Sequence, residues 1–322
     1  MNKTIGIIGY RNHALRIKKI LDTEFKNVEI KKVFHPTKKF SDEIGTNNFE
    51  ELYECDCIFI LSPNETHFEY IMKLVKRYEG YIFCEKPVVT KKTEFDVINK
   101  LAKKSKQKIF FNFNLRYGKI NDVLNKDSSK IGNITYANII SSHGLAFKED
   151  YVGSWRSDGS KNRNNILDTL AIHYLDLLLF HIPEIQVSNY LPYLISKNGT
   201  SFDTCLLVLS TDKLSFSIYC SYANPAINEL LIVGTNGYIT IRDDKQNIFS
   251  PRDTFDENGF FKKPPVMANK KFNFEKEYQE SLKNSVKFFM NHVINNSLID
   301  ENIFQKSMLT TKVLIDLKKE NV

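Results

Sequence analysis

A parallel α/β domain followed by an α+β domain with a largely antiparallel open sheet is the fold class this 322-residue sequence predicts. Three observations lead there. At about 150 residues per domain, the length suits two domains, each with its own core. Hydrophobic residues make up 42% and charged residues 26%, with 13 Gly and 9 Pro, which excludes disordered, collagen-like and low-complexity chains. The texture also changes near Gly118: short apolar runs alternating with helical patterns give way to alternating strands separated by turn residues.

Each element follows from its local pattern. The run at 5–8 reads as a strand, 14–21 has helical spacing, and 30–34 and 57–61 read as the next two strands. A helix over 68–76, a strand at 81–84, a helix from about 94 to 103 and a strand at 109–111 complete the first domain. Strands built of continuous apolar residues and separated by helices imply a parallel sheet covered on both faces. A helix at 120–124 opens the second domain, with strands at 136–140, 205–209, 214–220 and 229–233 and turns such as Thr235-Asn236-Gly237. An apolar helix near 166–180 and a helical stretch at about 303–317 complete it, with no internal repeat and no long linker.

Charge and cysteine usage narrow the function. Lys and Arg number 45 against 38 Asp and Glu, and the net charge of +7 favours an anionic ligand such as a phosphorylated cofactor or a nucleotide sugar. The lysines fall in scattered pairs (Lys31-Lys32, Lys38-Lys39, Lys91-Lys92, Lys103-Lys104) rather than in one basic block interleaved with aromatics, so no nucleic-acid partner is expected. Cys55, Cys57, Cys84, Cys205 and Cys220 are odd in number and dispersed, which predicts reduced, mostly buried thiols rather than disulfides or a zinc site. His143, His181 and His292 have no partners at metal-ligand spacing, so no metal is expected. The apolar stretch at the start is too short for a signal peptide, and the most apolar later stretch, 175–182, is broken by Asp176 and His181; a cytoplasmic protein without membrane contact is the expectation.

The first strand leads into Gly9-Tyr10-Arg11-Asn12-His13-Ala14, in the place of a GxGxxG/A dinucleotide fingerprint. Gly9 allows the tight turn and Ala14 close helix–strand packing, while Arg11 stands where a residue without a side chain normally lets the backbone approach the pyrophosphate. The second strand ends in Val33-Phe34-His35-Pro36-Thr37-Lys38-Lys39, where an NAD-specific site carries an acidic residue for the ribose hydroxyls and this chain carries none. Arg11, Lys38 and Lys39 suit a 2′-phosphate, which favours NADP over NAD; the alternative is a degraded pocket with solvated lysines.

Ser62-Pro63-Asn64-Glu65-Thr66-His67 follows the third strand, and Glu85-Lys86-Pro87 begins eighteen residues after His67. Here the chain resembles the Gfo/Idh/MocA family of NAD(P)-dependent oxidoreductases, whose tPn..H and EKP motifs it matches nearly residue by residue. The resemblance continues through Asn114-Leu115-Arg116-Tyr117, Ile131-Gly132-Asn133-Ile134, Ser154-Trp155-Arg156 and the segment 229–241 with Gly234 and Gly237, covering nearly the whole chain. It implies a Rossmann dinucleotide-binding domain at 1–118 and a substrate-binding and oligomerisation domain at 119–322, pairing as a homodimer or homotetramer. It also implies a cofactor site drawing on Gly9, Tyr10, Arg11, Asn12, His35, Lys38, Ser62, Pro63, Asn64, His67, Glu85 and Arg116, with Lys86, Asn114, Trp155, Arg156 and His173 at the substrate. Lys86 lies just past the carboxyl end of a parallel strand, where open α/β sheets bind ligands, and an ammonium there stabilises developing alkoxide charge. A cis peptide before Pro87 is part of the same implication.

Ile166-Leu167-Asp168-Thr169-Leu170-Ala171-Ile172-His173-Tyr174-Leu175-Asp176 resembles the family's helix D.g.H..D, which presents a histidine to the substrate hydroxyl as general acid/base. His173 and Asp176 fit, and an imidazole with a reference pKa of about 6.5 exchanges protons near neutrality. The first carboxylate departs from the pattern: Asp168 precedes His173 by five residues rather than four, which on an ideal helix turns it about 140° away. Either the helix begins irregularly and Asp168 still reaches the site, or Thr169, at the matching position, supplies a weaker hydrogen bond; Thr169 is the expected one. The activity implied is hydride transfer between NADP or NAD and a secondary alcohol or ketone of a sugar, cyclitol or nucleotide sugar. The rival is a catalytically inactive relative that binds dinucleotide or sugar as a regulator.

Overall fold

The computed structural model describes residues 2–38, 40 and 43–319. The chain divides into two compact units, Met1–Asn114 with Ser281–Ile315, and Leu115–Glu280 with Asp316–Val322.

The first unit is a Rossmann-type α/β fold. Its sheet contains β1 (Lys3–Ile8), β2 (Val28–Phe34), β3 (Gly45–Thr46), β4 (Cys57–Ile60), β5 (Tyr81–Glu85) and β6 (Ile109–Asn112), in the order β3-β2-β1-β4-β5-β6. All of its pairings are parallel. Helices α1 (Asn12–Glu24), α2 (His67–Val75), α3 (Lys92–Asn99) and α4 (Lys103–Lys106) connect the strands. Every residue of β4 and β5 is buried, which is what a continuous apolar strand at the centre of a parallel sheet requires.

Two later helices explain why the expected boundary at 118/119 differs from the observed division. They are α8 (Phe274–Ile294), which the sequence pattern did not suggest, and α9 (Glu301–Lys319). From α8, Phe289 packs edge-on against Phe59 and Phe83, with centroids 5.3 and 5.4 Å apart. From α9, Phe304 lies 5.4 Å from Phe111. A parallel sheet needs cover on both faces, and residues 281–315 supply part of it. The helix expected over about 94–103 also ends early, at Asn99, with α4 as a separate turn.

The second unit begins with α5 (Lys119–Asn125) and contains the short α6 (Gly159–Asn162) and the apolar α7 (Ile172–His181). Its eight strands are β7 (Ile134–Ser142), β8 (Gln186–Tyr193), β9 (Thr204–Ser210), β10 (Ser215–Ser221), β11 (Ile227–Gly234), β12 (Gly237–Arg242), β13 (Lys245–Phe249) and β14 (Val266–Lys271). They run in the order β14-β13-β12-β11-β7-β10-β9-β8, antiparallel except for the β7–β10 pair. Burial alternates along β9, β10 and β12, the mark of a sheet packed on one face. Seven of the ten residues of α7 are buried, consistent with a helix apolar nearly all round.

All five cysteines are buried free thiols. Among the described residues no helix is long and apolar enough to cross a membrane.

Candidate active site

In the first unit, the carboxyl ends of β1, β4 and β5 carry three loops rich in polar groups. Gly9 sits at φ +90°, and a Cβ there would meet the Leu61 carbonyl oxygen at 2.9 Å, so the turn after β1 requires glycine. Its N–H donates to the Phe34 carbonyl (3.0 Å). α1 starts immediately afterwards with Arg11 as an N-cap that makes no side-chain cap, and with no acidic residue in its first turn. Its leading N–H groups therefore remain available to an anion.

The loop after β2 takes its shape from His35, whose Nδ1 accepts the backbone N–H groups of Thr37 (3.2 Å) and Lys38 (3.0 Å). Lys38 lies with Nζ 4.8 Å from the Tyr10 ring centroid and 5.5 Å from that of Phe40. This brings three of the expected cofactor residues, Tyr10, His35 and Lys38, into one cluster. Lys39 lies outside the described residues.

After β4, the Thr66 hydroxyl makes contacts of 2.7 Å to both Ser62 Oγ and the Pro63 carbonyl, closing a tight turn. Asn64 Nδ2 is buried in that turn without a partner among the described residues, a donor that a bound ligand would satisfy. His67 is fully buried: Nδ1 lies 2.8 Å from the Pro87 carbonyl and Nε2 3.1 Å from the Ser62 carbonyl. It ties the Ser62 loop to the Lys86 turn, and burial pushes its pKa down. The Lys86–Pro87 peptide is cis.

Beneath Lys86 lies a buried relay. Ser285 Oγ donates to Asn112 Oδ1 (2.7 Å), and Asn112 Nδ2 donates to Glu85 Oε1 (2.7 Å). His13 Nε2 reaches the same carboxylate at 2.7 Å. Burial alone would raise the Glu85 pKa, but the charge and hydrogen bond of His13, the Asn112 amide and the Lys86 charge together hold it at about 2. Glu85 is thus an anion in the interior of the first unit. His13 and Asn112 are not expected from the sequence; His13 lies inside the glycine motif, and no local pattern marks Asn112. The Asn114 amide, expected at the substrate, donates to Ser281 Oγ (2.8 Å).

In the second unit, the helix carrying His173 does begin irregularly: Leu167–Ala171 is a π-turn, with the Ile172 N–H donating to the Leu167 carbonyl. A π-turn winds more slowly than an α-turn, so Asp168 is rotated away from His173 by less than the 140° expected of an ideal helix. Its carboxylate is nevertheless engaged elsewhere: Oδ2 accepts from Lys318 Nζ (2.6 Å) and Asn162 Nδ2 (2.8 Å), and Asp168 is fully buried. Thr169 Oγ1 donates to the Asn165 carbonyl (2.6 Å) and lies 2.6 Å from the Tyr222 hydroxyl. Burial pushes the Tyr222 phenol up to about 12, so it is protonated at neutral pH. Its ring lies 5.0 Å from that of His143.

His173 packs edge-on against Tyr278, with centroids 6.4 Å apart. Three residues on, Asp176 accepts from Arg116 Nε at 2.8 Å and from its second guanidinium nitrogen; both side chains are buried. Arg116, expected at the cofactor, is a bidentate partner of Asp176 within the second unit, its guanidinium fork matching the two carboxylate oxygens. Arg156 stacks on Trp155, its guanidinium carbon 4.5 Å from the ring centroid. Tyr222 and Lys318 were not foreseen: a lone Tyr in a strand loop and a lysine 150 residues from its carboxylate carry no local signal.

A doubly wound parallel sheet with a glycine turn, an uncapped helix start and an orphaned amide at its strand ends fits a dinucleotide-binding protein. Residues 3–113 match the Gfo/Idh/MocA family model, described as "Oxidoreductase family, NAD-binding Rossmann fold". The chain is 25% identical over 169 residues to the inositol 2-dehydrogenase of Rhizobium meliloti, 50% of this chain and 48% of that one. It thus spans about half the length of this curated relative.

Solved structures resemble the chain over its whole length. One is an oxidoreductase from Agrobacterium radiobacter in complex with NAD+, L-tartaric acid and magnesium (TM-score 0.79, 14% identity, 100% of this chain and 98% of that one). Another is the myo-inositol 2-dehydrogenase of Lactobacillus plantarum (TM-score 0.77, 18% identity, 99% and 97%). A third is a 3-ketoreductase from Actinomadura kijaniata in complex with NADP and TDP-benzene (TM-score 0.75, 13% identity, 99% and 98%). At these identities the likeness is one of fold.

Proposed function

We propose that the chain is an NAD(P)-dependent oxidoreductase acting on a secondary alcohol or ketone of a sugar, cyclitol or nucleotide sugar. The observation that carries this reading is the Glu85-Lys86-Pro87 turn, where a buried carboxylate, ionised and satisfied by His13 and Asn112, directly precedes a lysine at the carboxyl end of a parallel strand. When bound, NAD(P) supplies the hydride acceptor or donor. The chain supplies orientation and electrostatics: Lys86 donates a hydrogen bond to the reacting oxygen and stabilises its alkoxide character, and the His173 imidazole takes or returns the hydroxyl proton. Gly9, the start of α1 and Asn64 would hold the dinucleotide phosphates and ribose; Arg11 and Lys38 favour a 2′-phosphate, hence NADP. The reading places the enzyme in the cytoplasm as a homodimer or homotetramer, paired through the open face of the eight-stranded sheet.

Titration with NADPH and NADH, followed by reduced-nicotinamide fluorescence, tests cofactor binding. NADPH should bind about tenfold more tightly, and Lys38→Ala should close most of that gap, since one charge-assisted hydrogen bond accounts for about that factor. Binding of neither cofactor would sink the reading. A panel of sugars, inositols and nucleotide sugars, with Lys86→Ala as control, then tests turnover.

The second reading, a relative that binds without turnover, is favoured by one observation: the hydroxyl of Thr169, at the position of the family's carboxylate, is engaged by the Asn165 carbonyl and Tyr222. Cofactor binding without turnover on the panel would select it.

A further inference from the structure

The carboxylate displaced by one position, Asp168, has a specific structural partner. It lies within the π-turn Leu167–Ala171, is fully buried, and its Oδ2 meets Lys318 Nζ at 2.6 Å. Lys318 stands in the last turn of α9, and its side chain is 19% exposed. Asn162 completes the clamp at 2.8 Å and is itself held, its Oδ1 accepting the Asn164 N–H (3.1 Å) and its carbonyl accepting from Ser201 Oγ (2.7 Å).

The π-turn sets the orientation of the helix beyond it. One residue more or less in a helical turn rotates the downstream residues by about 100° relative to the upstream ones. Thr169 and His173 take their azimuth relative to the preceding Asn164-Asn165 segment from this turn, and His173 is the first-turn residue of α7. A buried ion pair within the turn favours the winding that brings Asp168 to Lys318, whereas an α-turn would carry the carboxylate off its cation at the cost of an uncompensated buried charge.

We propose that Lys318 is a positioning residue for the proposed general acid/base: by holding Asp168 it fixes the π-turn and so the direction in which His173 is presented. Asp168 then acts as the counter-ion of that clamp. The inference rests on the proposed oxidoreductase activity only for its kinetic consequence; the structural consequence stands apart from turnover.

The test compares Lys318→Met, which keeps the length and removes the charge, with Lys318→Arg and with the double variant Asp168→Asn/Lys318→Met. Two measurements apply: amide hydrogen exchange of residues 168–172, and steady-state kinetics with whichever substrate the panel yields. Lys318→Met should raise exchange at those amides by at least about tenfold while the rest of α7 is unchanged. It should also lower kcat by about tenfold to a hundredfold with KM and cofactor affinity within about twofold, the signature of misplacement rather than lost binding. Lys318→Arg should restore most of both. Should Lys318→Met fail to fold, the double variant, which leaves no buried charge uncompensated, is expected to fold and to show the same local exchange and kcat loss. Wild-type exchange at 168–172, or wild-type kcat in a folded variant with lowered thermal stability alone, overturns the proposal. If no substrate is turned over, exchange alone decides: a local increase supports the clamp, and an unchanged or uniformly raised pattern refutes it.

Discussion

Glu85 in the first unit and two carboxylates of the second, Asp168 and Asp176, are buried and satisfied in different ways. In the first, Glu85 is met by an imidazole and an amide, His13 in the first turn of α1 and Asn112 at the end of β6. In the second, Asp176 and Asp168 are met by a guanidinium and an ammonium, Arg116 and Lys318. Of those two cations, one is 60 residues from its carboxylate and the other 150. The first arrangement puts an anion beneath a residue proposed to do chemistry; the second holds a helix in place. Removing a partner should therefore cost stability in the second unit and cost activity or acid resistance in the first.

The largest expected effect breaks the comparison at its strongest point. Arg116→Met leaves Asp176 charged, buried and without its bidentate partner, and removal of one member of a buried pair costs about 3–5 kcal/mol. Chemical denaturation should report that loss, and Arg116→Lys should recover only part of it, because an ammonium cannot reproduce the two parallel contacts. A loss below about 1 kcal/mol would mean that the second unit does not depend on fixed cations. Next comes Lys86→Ala in the first unit, where the expectation reverses: kcat should fall by about 10²–10³, as when one donor to a developing oxyanion is removed, with stability nearly unchanged. A large fall in melting temperature with modest kinetic change would place Lys86 in the structural class with Arg116.

The difference between the units also governs what the sequence could reveal. The N-terminal part of the first unit was legible almost element by element, because continuous apolar strands and helical spacing are local signals and because the Gly9, Ser62–His67 and Glu85-Lys86-Pro87 segments are each contiguous. The second unit was legible as an alternating-strand region, but not in the details that set its chemistry. Whether Asp168 or Thr169 faces the same side as His173 depends on a π-turn, and that turn is tied to residues such as Lys318 and Tyr222 that no spacing rule connects to it. The pairing of Arg116 with Asp176 was not legible for the same reason: the two lie in different motifs, and only folding brings them together. The helix α8 went unread because its apolar residues are interleaved with charged positions such as Glu277, Glu280, Lys283 and Lys287.

A smaller effect sharpens the comparison through pH. The folded-state pKa of Glu85 is about 2, below its ordinary value of 4.5, so its contribution to stability is fully present above pH 4.5 and is lost as pH falls toward 2. The size of that shift corresponds to about 3 kcal/mol. Melting temperature should fall across this window in the wild type. Glu85→Gln, which keeps hydrogen-bonding atoms but not the charge, should be less stable at about pH 6 and should converge on the wild type as the pH approaches about 2. Parallel curves would show that Glu85 is not the group responsible.

The smallest effect concerns the hydroxyl pair in the second unit. The Thr169 hydroxyl donates to the Asn165 carbonyl, so the 2.6 Å contact with Tyr222 has the phenol as donor and Thr169 Oγ1 as acceptor. Tyr222→Phe removes that donor and leaves the ring packed beside His143 and Tyr151. Thr169 keeps the bond it donates and loses only one it accepts, which sets the cost at about 1 kcal/mol rather than the several expected for Arg116. Denaturation midpoints in urea resolve a difference of that size. If Tyr222→Phe costs about 3 kcal/mol or more, the Thr169–Tyr222 contact is as structural as the ion pairs, and the second unit's neutral and charged anchors would have to be treated alike.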